Sequence, residues 1–119
     1  MPKFAFPTAP FDDIRRQVTY WIVLDFELAN SGTDYAEGET VELIGGVKTE
    51  KATFDISVNP LANNGITLID LITSGKYLIK AGTRNPEPPL PDVTYCRLYG
   101  RTSHADNAIL AVEWEQHHI

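Results

Sequence analysis

The stretch Ala52-Thr53-Phe54-Asp55-Ile56-Ser57-Val58 decides the fold. Ala52, Phe54, Ile56 and Val58 alternate with Thr53, Asp55 and Ser57, the period of two that turns one row of side chains to a core and the other to water. Asn59-Pro60 ends the run, because proline has no N–H to give to a ladder. Asn63-Asn64-Gly65 then signals a turn into residues 66–73. That next run, ITLIDLIT, is apolar on both faces apart from Asp70. Its β-branched content and the flanking Gly65 and Gly75 favour a strand over a helix.

Working outward, residues 40–44 read as a short strand with Val41 and Leu43 inward and Glu42 outward. Gly45-Gly46 follows and offers the positive φ of a tight reversal. Residues 18–28 read as the first strand. Tyr20, Ile22, Leu24, Phe26 and Leu28 fall on one face, and Trp21 and Val23 share the other with Asp25 and Glu27. Half of this strand is therefore expected to be covered on both sides, and the other half to keep one wet face. Residues 77–80, 93–99 and 108–115 complete the set. In the last, Leu110, Val112 and Trp114 lie opposite Glu113 and Glu115. Asn85-Pro86-Glu87-Pro88-Pro89-Leu90-Pro91 is expected to be a loop, partly in polyproline II form. Turn formers punctuate the chain throughout. The pattern predicts an all-β, single-domain antiparallel β-sandwich or barrel-like fold of about seven short strands. It spans residues 18–119 behind an extended N-terminal arm, residues 1–17.

In the arm, Pro2, Pro7 and Pro10 alternate with Phe4, Phe6 and Phe11. Leaving the three rings in water forfeits roughly 1.5–3 kcal/mol apiece. The arm therefore either folds back over its own domain or lies on a neighbouring subunit, where the prolines lower the entropy lost on ordering. Asp12-Asp13-Ile14-Arg15-Arg16 suits a short helical turn, with its charges arranged as the helix dipole prefers.

The chain has 119 residues, 43% of them apolar, with 10 Lys+Arg against 16 Asp+Glu. This excludes a disordered chain and fits one domain. A net charge of −6 argues against the nucleic-acid backbone as a partner. No run approaches the roughly 20 apolar residues of a membrane helix, and the N-terminus lacks the apolar run of a signal peptide. The single cysteine, Cys96, excludes an internal disulfide and reads as a small buried hydrophobe. His117-His118 would point to opposite faces of a strand, a poor metal pair. Asp34, Glu37 and Glu39 match no complete calcium-loop spacing and read as solvated turn carboxylates. There is no Gly-rich phosphate loop and no nucleophile–base pairing. The expectation is no cofactor, no metal and no enzyme.

Four pieces follow one another in a familiar order. They are Tyr35-Ala36-Glu37-Gly38-Glu39-Thr40-Val41 with Gly45-Gly46; Ala52 to Val58; Gly65-Ile66-Thr67 with Gly75-Lys76-Tyr77; and a proline-rich segment before a closing strand that ends Val112-Glu113-Trp114. This order resembles small β modules of tailed-bacteriophage virion proteins over residues 32–115. It departs from them where Ser103-His104-Ala105-Asp106-Asn107 replaces a Gly-rich turn. The resemblance implies a non-enzymatic virion structural protein, a capsid decoration (cement) protein before a tail, neck or fibre component. Its partners would be copies of itself, in a cluster such as a trimer, and the major capsid or tail protein, with neither nucleic acid nor membrane. On that reading the contact residues are Phe4, Phe6, Phe11, Trp21, Val23, Pro86, Pro88, Pro89 and Leu90. A carbohydrate- or receptor-binding module is the alternative, with Tyr95, Tyr99 and Trp114 stacking on sugar rings. Tyr35 and Tyr77 are expected to pack on the core rim with wet hydroxyls.

Overall fold

The computed structural model describes residues 19–84 and 93–118, and they form an all-β antiparallel domain. Its strands are β1 (Thr19–Asn30), β2 (Thr40–Leu43), β3 (Val47–Glu50), β4 (Thr53–Asn59), β5 (Gly65–Thr73), β6 (Lys76–Ile79), β7 (Thr83–Arg84), β8 (Val93–Gly100) and β9 (Ala108–His118). One 3-10 turn, Pro60–Ala62, follows β4, and Asn63 and Asn64 leave it with φ of 56° and 59°. The sheet runs β3-β6-β1-β9-β8-β2-β4-β5, with β7 paired to β8. The alternation in β4 holds: Phe54 and Ile56 are buried and Asp55 is exposed.

The connections between the strands curl the sheet round towards itself without a closing ladder. β3 continues into β4 and β5 into β6, so the four make one long antiparallel ribbon. β4 pairs with β2 on one side of the barrel, while β6 pairs with β1 on the other. The inward faces meet across the interior. Phe26 of β1 packs edge-on against Phe54 of β4, ring centroids 5.2 Å apart. Tyr77 of β6 meets Trp114 of β9 at 5.0 Å.

Three sequence expectations change. There are nine strands among the described residues, not about seven. β3 carries only one apolar residue, Val47, and β7 has only two residues, too little pattern to read. Gly45-Gly46 is not a hairpin, because β2 and β3 do not pair; it steers the chain from one wall of the barrel to the other. The faces of β1 also differ. Val23 lies opposite Trp114 and Asp25 opposite Glu113, so Leu24 is an extra, bulged residue and is exposed. The bulge inverts the parity. Trp21 and Val23 point inward before it, and Phe26 and Leu28 after it.

Both tyrosine hydroxyls expected to be wet are instead buried and bonded. Tyr35 Oη donates to the Leu98 carbonyl at 2.6 Å and accepts from Ala108 N at 3.0 Å. Tyr77 Oη accepts from Ala52 N at 3.0 Å. Burial pushes both phenols up from their usual pKa. Ala52 lies in the junction between β3 and β4, where no ladder partner is available, so the phenol takes the place of a carbonyl. The Tyr77 ring also explains Gly75, at φ +77°: a Cβ there would sit 2.6 Å from the ring and 2.7 Å from Ala52 N.

Phe54→Ala, measured by urea unfolding, is expected to cost about 3–5 kcal/mol, as for a fully buried ring. Tyr77→Phe keeps the ring but strands the Ala52 N–H, and should cost about 1–3 kcal/mol. A near-neutral Tyr77→Phe would show that the hydroxyl does not hold the ribbon junction.

Candidate functional site

Glu39, read from the sequence as a solvated turn carboxylate, is buried. It closes the turn Tyr35–Glu39 onto the β8–β9 loop. Its carboxylate accepts from Ala36 N at 2.6 Å, Thr102 N at 2.9 Å, Ser103 N at 3.0 Å and Ser103 Oγ at 2.7 Å. Burial raises its pKa, but these hydrogen bonds outweigh that and hold it below the usual glutamate value. Glu37 Oε1 accepts from Val58 N at 2.9 Å. Both glutamates are therefore occupied by backbone donors, which leaves them poor calcium ligands.

Ser103, His104 and Cys96 are also held in the structure. Ser103 Oγ serves Glu39 and the Ala105 amide. His104 Nδ1 is bonded to Tyr99 Oη. Cys96 is buried as expected, its thiol pushed up to about 11 by burial, with the Thr94 hydroxyl opposing that only in part. Trp114 is 2% exposed, and its Nε1 donates to Thr94 Oγ1 at 2.8 Å. It lies on the interior face of the barrel, so it takes no part in a sugar platform. Tyr95 remains on the surface.

Of the contact residues expected from the sequence, Val23 is 2% exposed in the chain's own core, where it pairs opposite the buried Trp114 just ahead of the Leu24 bulge. Trp21 packs against the same core, with the Lys80 ammonium 4.3 Å over its ring. Phe4, Phe6, Phe11, Pro86, Pro88, Pro89 and Leu90 lie outside the described residues.

A surface concavity lies beside β6. It is an open groove of about 730 Å³ between the Ile44–Val47 turn, the end of β6 and the outer face of β8. Val47 is 49% exposed, Ile79 61% and Tyr95 39%, around Ile44 and Ile109. Lys80 and Arg97 stand at its rim. Trp21 pairs with Tyr77, so the start of β1 at Thr19 comes alongside the Ile79 end of β6. Sequence reading missed this groove. Its apolar residues come from turns and outward strand positions that are far apart in the chain.

Comparison of the chain with protein-family models, curated proteins and solved structures gave no match.

Glu39→Gln replaces a four-bond acceptor with an amide that opposes two donors, and should cost about 3 kcal/mol. Because the folded pKa is depressed, the native glutamate stabilises fully above the unfolded value near 4.3. That contribution is lost as pH falls through the folded value. Urea unfolding between pH 7 and pH 2 should therefore show a steeper acid loss in the wild type than in Glu39→Gln.

Proposed function

We propose that this protein is a non-catalytic, protein-binding β module that assembles with copies of itself, and that it serves as a capsid decoration protein of a tailed bacteriophage. The observation that carries the binding reading is the exposed apolar groove formed by Val47, Ile79 and Tyr95. Scattered exposed apolar residues are ordinary on a monomer, but a contiguous concave set is characteristic of interaction sites. The virion assignment rests on the order of the sequence pieces described above.

The occupant of the groove is the N-terminal arm of a neighbouring copy. Thr19, the first described residue, lies beside the groove, and the sequence ahead of it carries Phe4, Phe6 and Phe11 between prolines. Burying each ring is worth roughly 1.5–3 kcal/mol, enough for a few rings to offset the cost of ordering a short segment. A cluster built by exchanged arms binds only the folded, assembled state. It would stabilise a shell by mass action and needs no chemistry. The occupied state of Ser103, His104 and Cys96 accords with that.

Two variants test this by analytical ultracentrifugation. The full chain should sediment as an oligomer. Deletion of residues 2–11, or Ile79→Asp in the groove, should yield a monomer with an unchanged circular dichroism spectrum. A full chain that stays monomeric at high concentration, or assembly that survives both changes, would rule the reading out.

A further inference from the structure

The line between β1 and β5 is an unzipped seam of the barrel. β1 runs antiparallel to the continuous β5–β6 strand. They pair at Trp21–Tyr77, and then Val23 N donates to the Ser74 carbonyl at 3.1 Å. At the far end Ile66 N donates to the Ser31 carbonyl at 2.9 Å. Between these two pins no ladder joins β1 to β5, and their Cα atoms stand more than 8 Å apart along nearly all of the stretch. Bulges lie at both ends of the opening, in β1 at Leu24 and before Asn30, and in β5 at Thr67 and Ile72. The two strands therefore part and rejoin together. Each presents to the gap a backbone edge without a ladder partner among the described residues, with Phe26 N held meanwhile by the Asp25 carboxylate at 2.8 Å. Along the strands the opening is roughly six residues of extended chain long, at about 3.3 Å each.

The banks of this seam are acidic. Asp25 and Glu27 are exposed on β1, and Asp70 is exposed on β5. Behind each bank a like charge stands directly opposite: Glu113 faces Asp25, and Asp55 faces Asp70. Like charges facing across a ladder are destabilising. None of these five carboxylates has an ion-pair partner within 4.0 Å among the described residues. Leu68 and Ile72 flank Asp70 and are exposed as well, Leu68 at 65%.

We propose that the β1–β5 seam is a docking site for an extended, basic segment of a different protein, which adds its backbone to the open edges and sets Lys or Arg against Asp25, Glu27 and Asp70. Strand addition satisfies the unpaired backbone groups, and alternate side chains of the guest confer specificity. Charge and proline content argue against the other occupants. A second copy would bring its own acidic edge against this one. Pro2, Pro7 and Pro10 break residues 1–10 into runs shorter than the seam, and residues 85–91 carry four prolines. The proline-free residues 11–17 set Asp12 and Asp13 against Arg15 and Arg16 and so bring no net positive charge. The proposal rests on the protein-binding reading above and names the chemistry of a second partner, at a surface separate from the groove.

The test uses the isotope-labelled full chain and two synthetic nine-residue peptides, one alternating valine with lysine and one alternating valine with glutamate. The lysine peptide should shift the backbone amides of residues 24–30 and 67–73 and slow their hydrogen exchange. The glutamate peptide should leave them in place. The double variant Asp25→Lys, Asp70→Lys removes two repulsive pairs at the cost of one exposed hydrogen bond, from Phe26 N to Asp25, so it should fold about as well as the parent. It should bind the lysine peptide at least tenfold more weakly and gain affinity for the glutamate peptide. Equal response to both peptides, shifts confined to the groove around Ile79, or no change at millimolar lysine peptide would each overturn the proposal. So would self-association of the parent chain that the double variant abolishes. Arm exchange is read by sedimentation and seam binding by these amides, so either can fail while the other stands.

Discussion

The hydrogen bond from Ala52 N to the Tyr77 hydroxyl is the point on which the architecture turns. A long two-stranded ribbon can close a barrel only if its two halves face different walls. At the junction the ladder is interrupted, and a buried N–H is left without a carbonyl. Tyr77 meets that need and fills the space below it, which in turn forbids a side chain at Gly75. Tyr35 does the same at the other end, joining the Leu98 carbonyl and the Ala108 amide through one hydroxyl. The two phenols act as substitute backbone groups, and an unpaired buried amide would cost more than the phenol's desolvation.

Closure is incomplete because β1 and β5 cannot zip between their pins. Bulges at both ends splay the strands, and both banks carry uncompensated carboxylates. A barrel selected for stability alone would close this line with a regular ladder. Here the Phe26–Phe54 contact fills the interior beneath, so the opening does not reach the core. The lower stability of an unpaired edge is therefore confined to the surface, where a partner's strand can restore it.

The groove and the seam differ in chemistry. The groove is apolar with Lys80 and Arg97 at its rim, and the seam is an acidic backbone edge. Hydrophobic burial suits the first to phenylalanine-bearing segments, and charge suits the second to basic ones.

The amino-acid sequence by itself determined that the chain is antiparallel β, because the alternation in β4, the apolar face of β9 and the Asn63-Asn64-Gly65 turn are local signals with a short period. It also marked Cys96 as buried. Tertiary structure alone decided the strand count, the inward turn of Val23, the buried carboxylate of Glu39, the groove beside β6 and the seam between β1 and β5. A bulge shifts parity by one residue without changing composition, so the inward set of β1 could be read only against β9. Glu39 looks like any turn glutamate until the β8–β9 loop, more than sixty positions away, supplies three of its four donors. Groove and seam arise where distant strands diverge, and a gap between strands has no residue of its own to announce it.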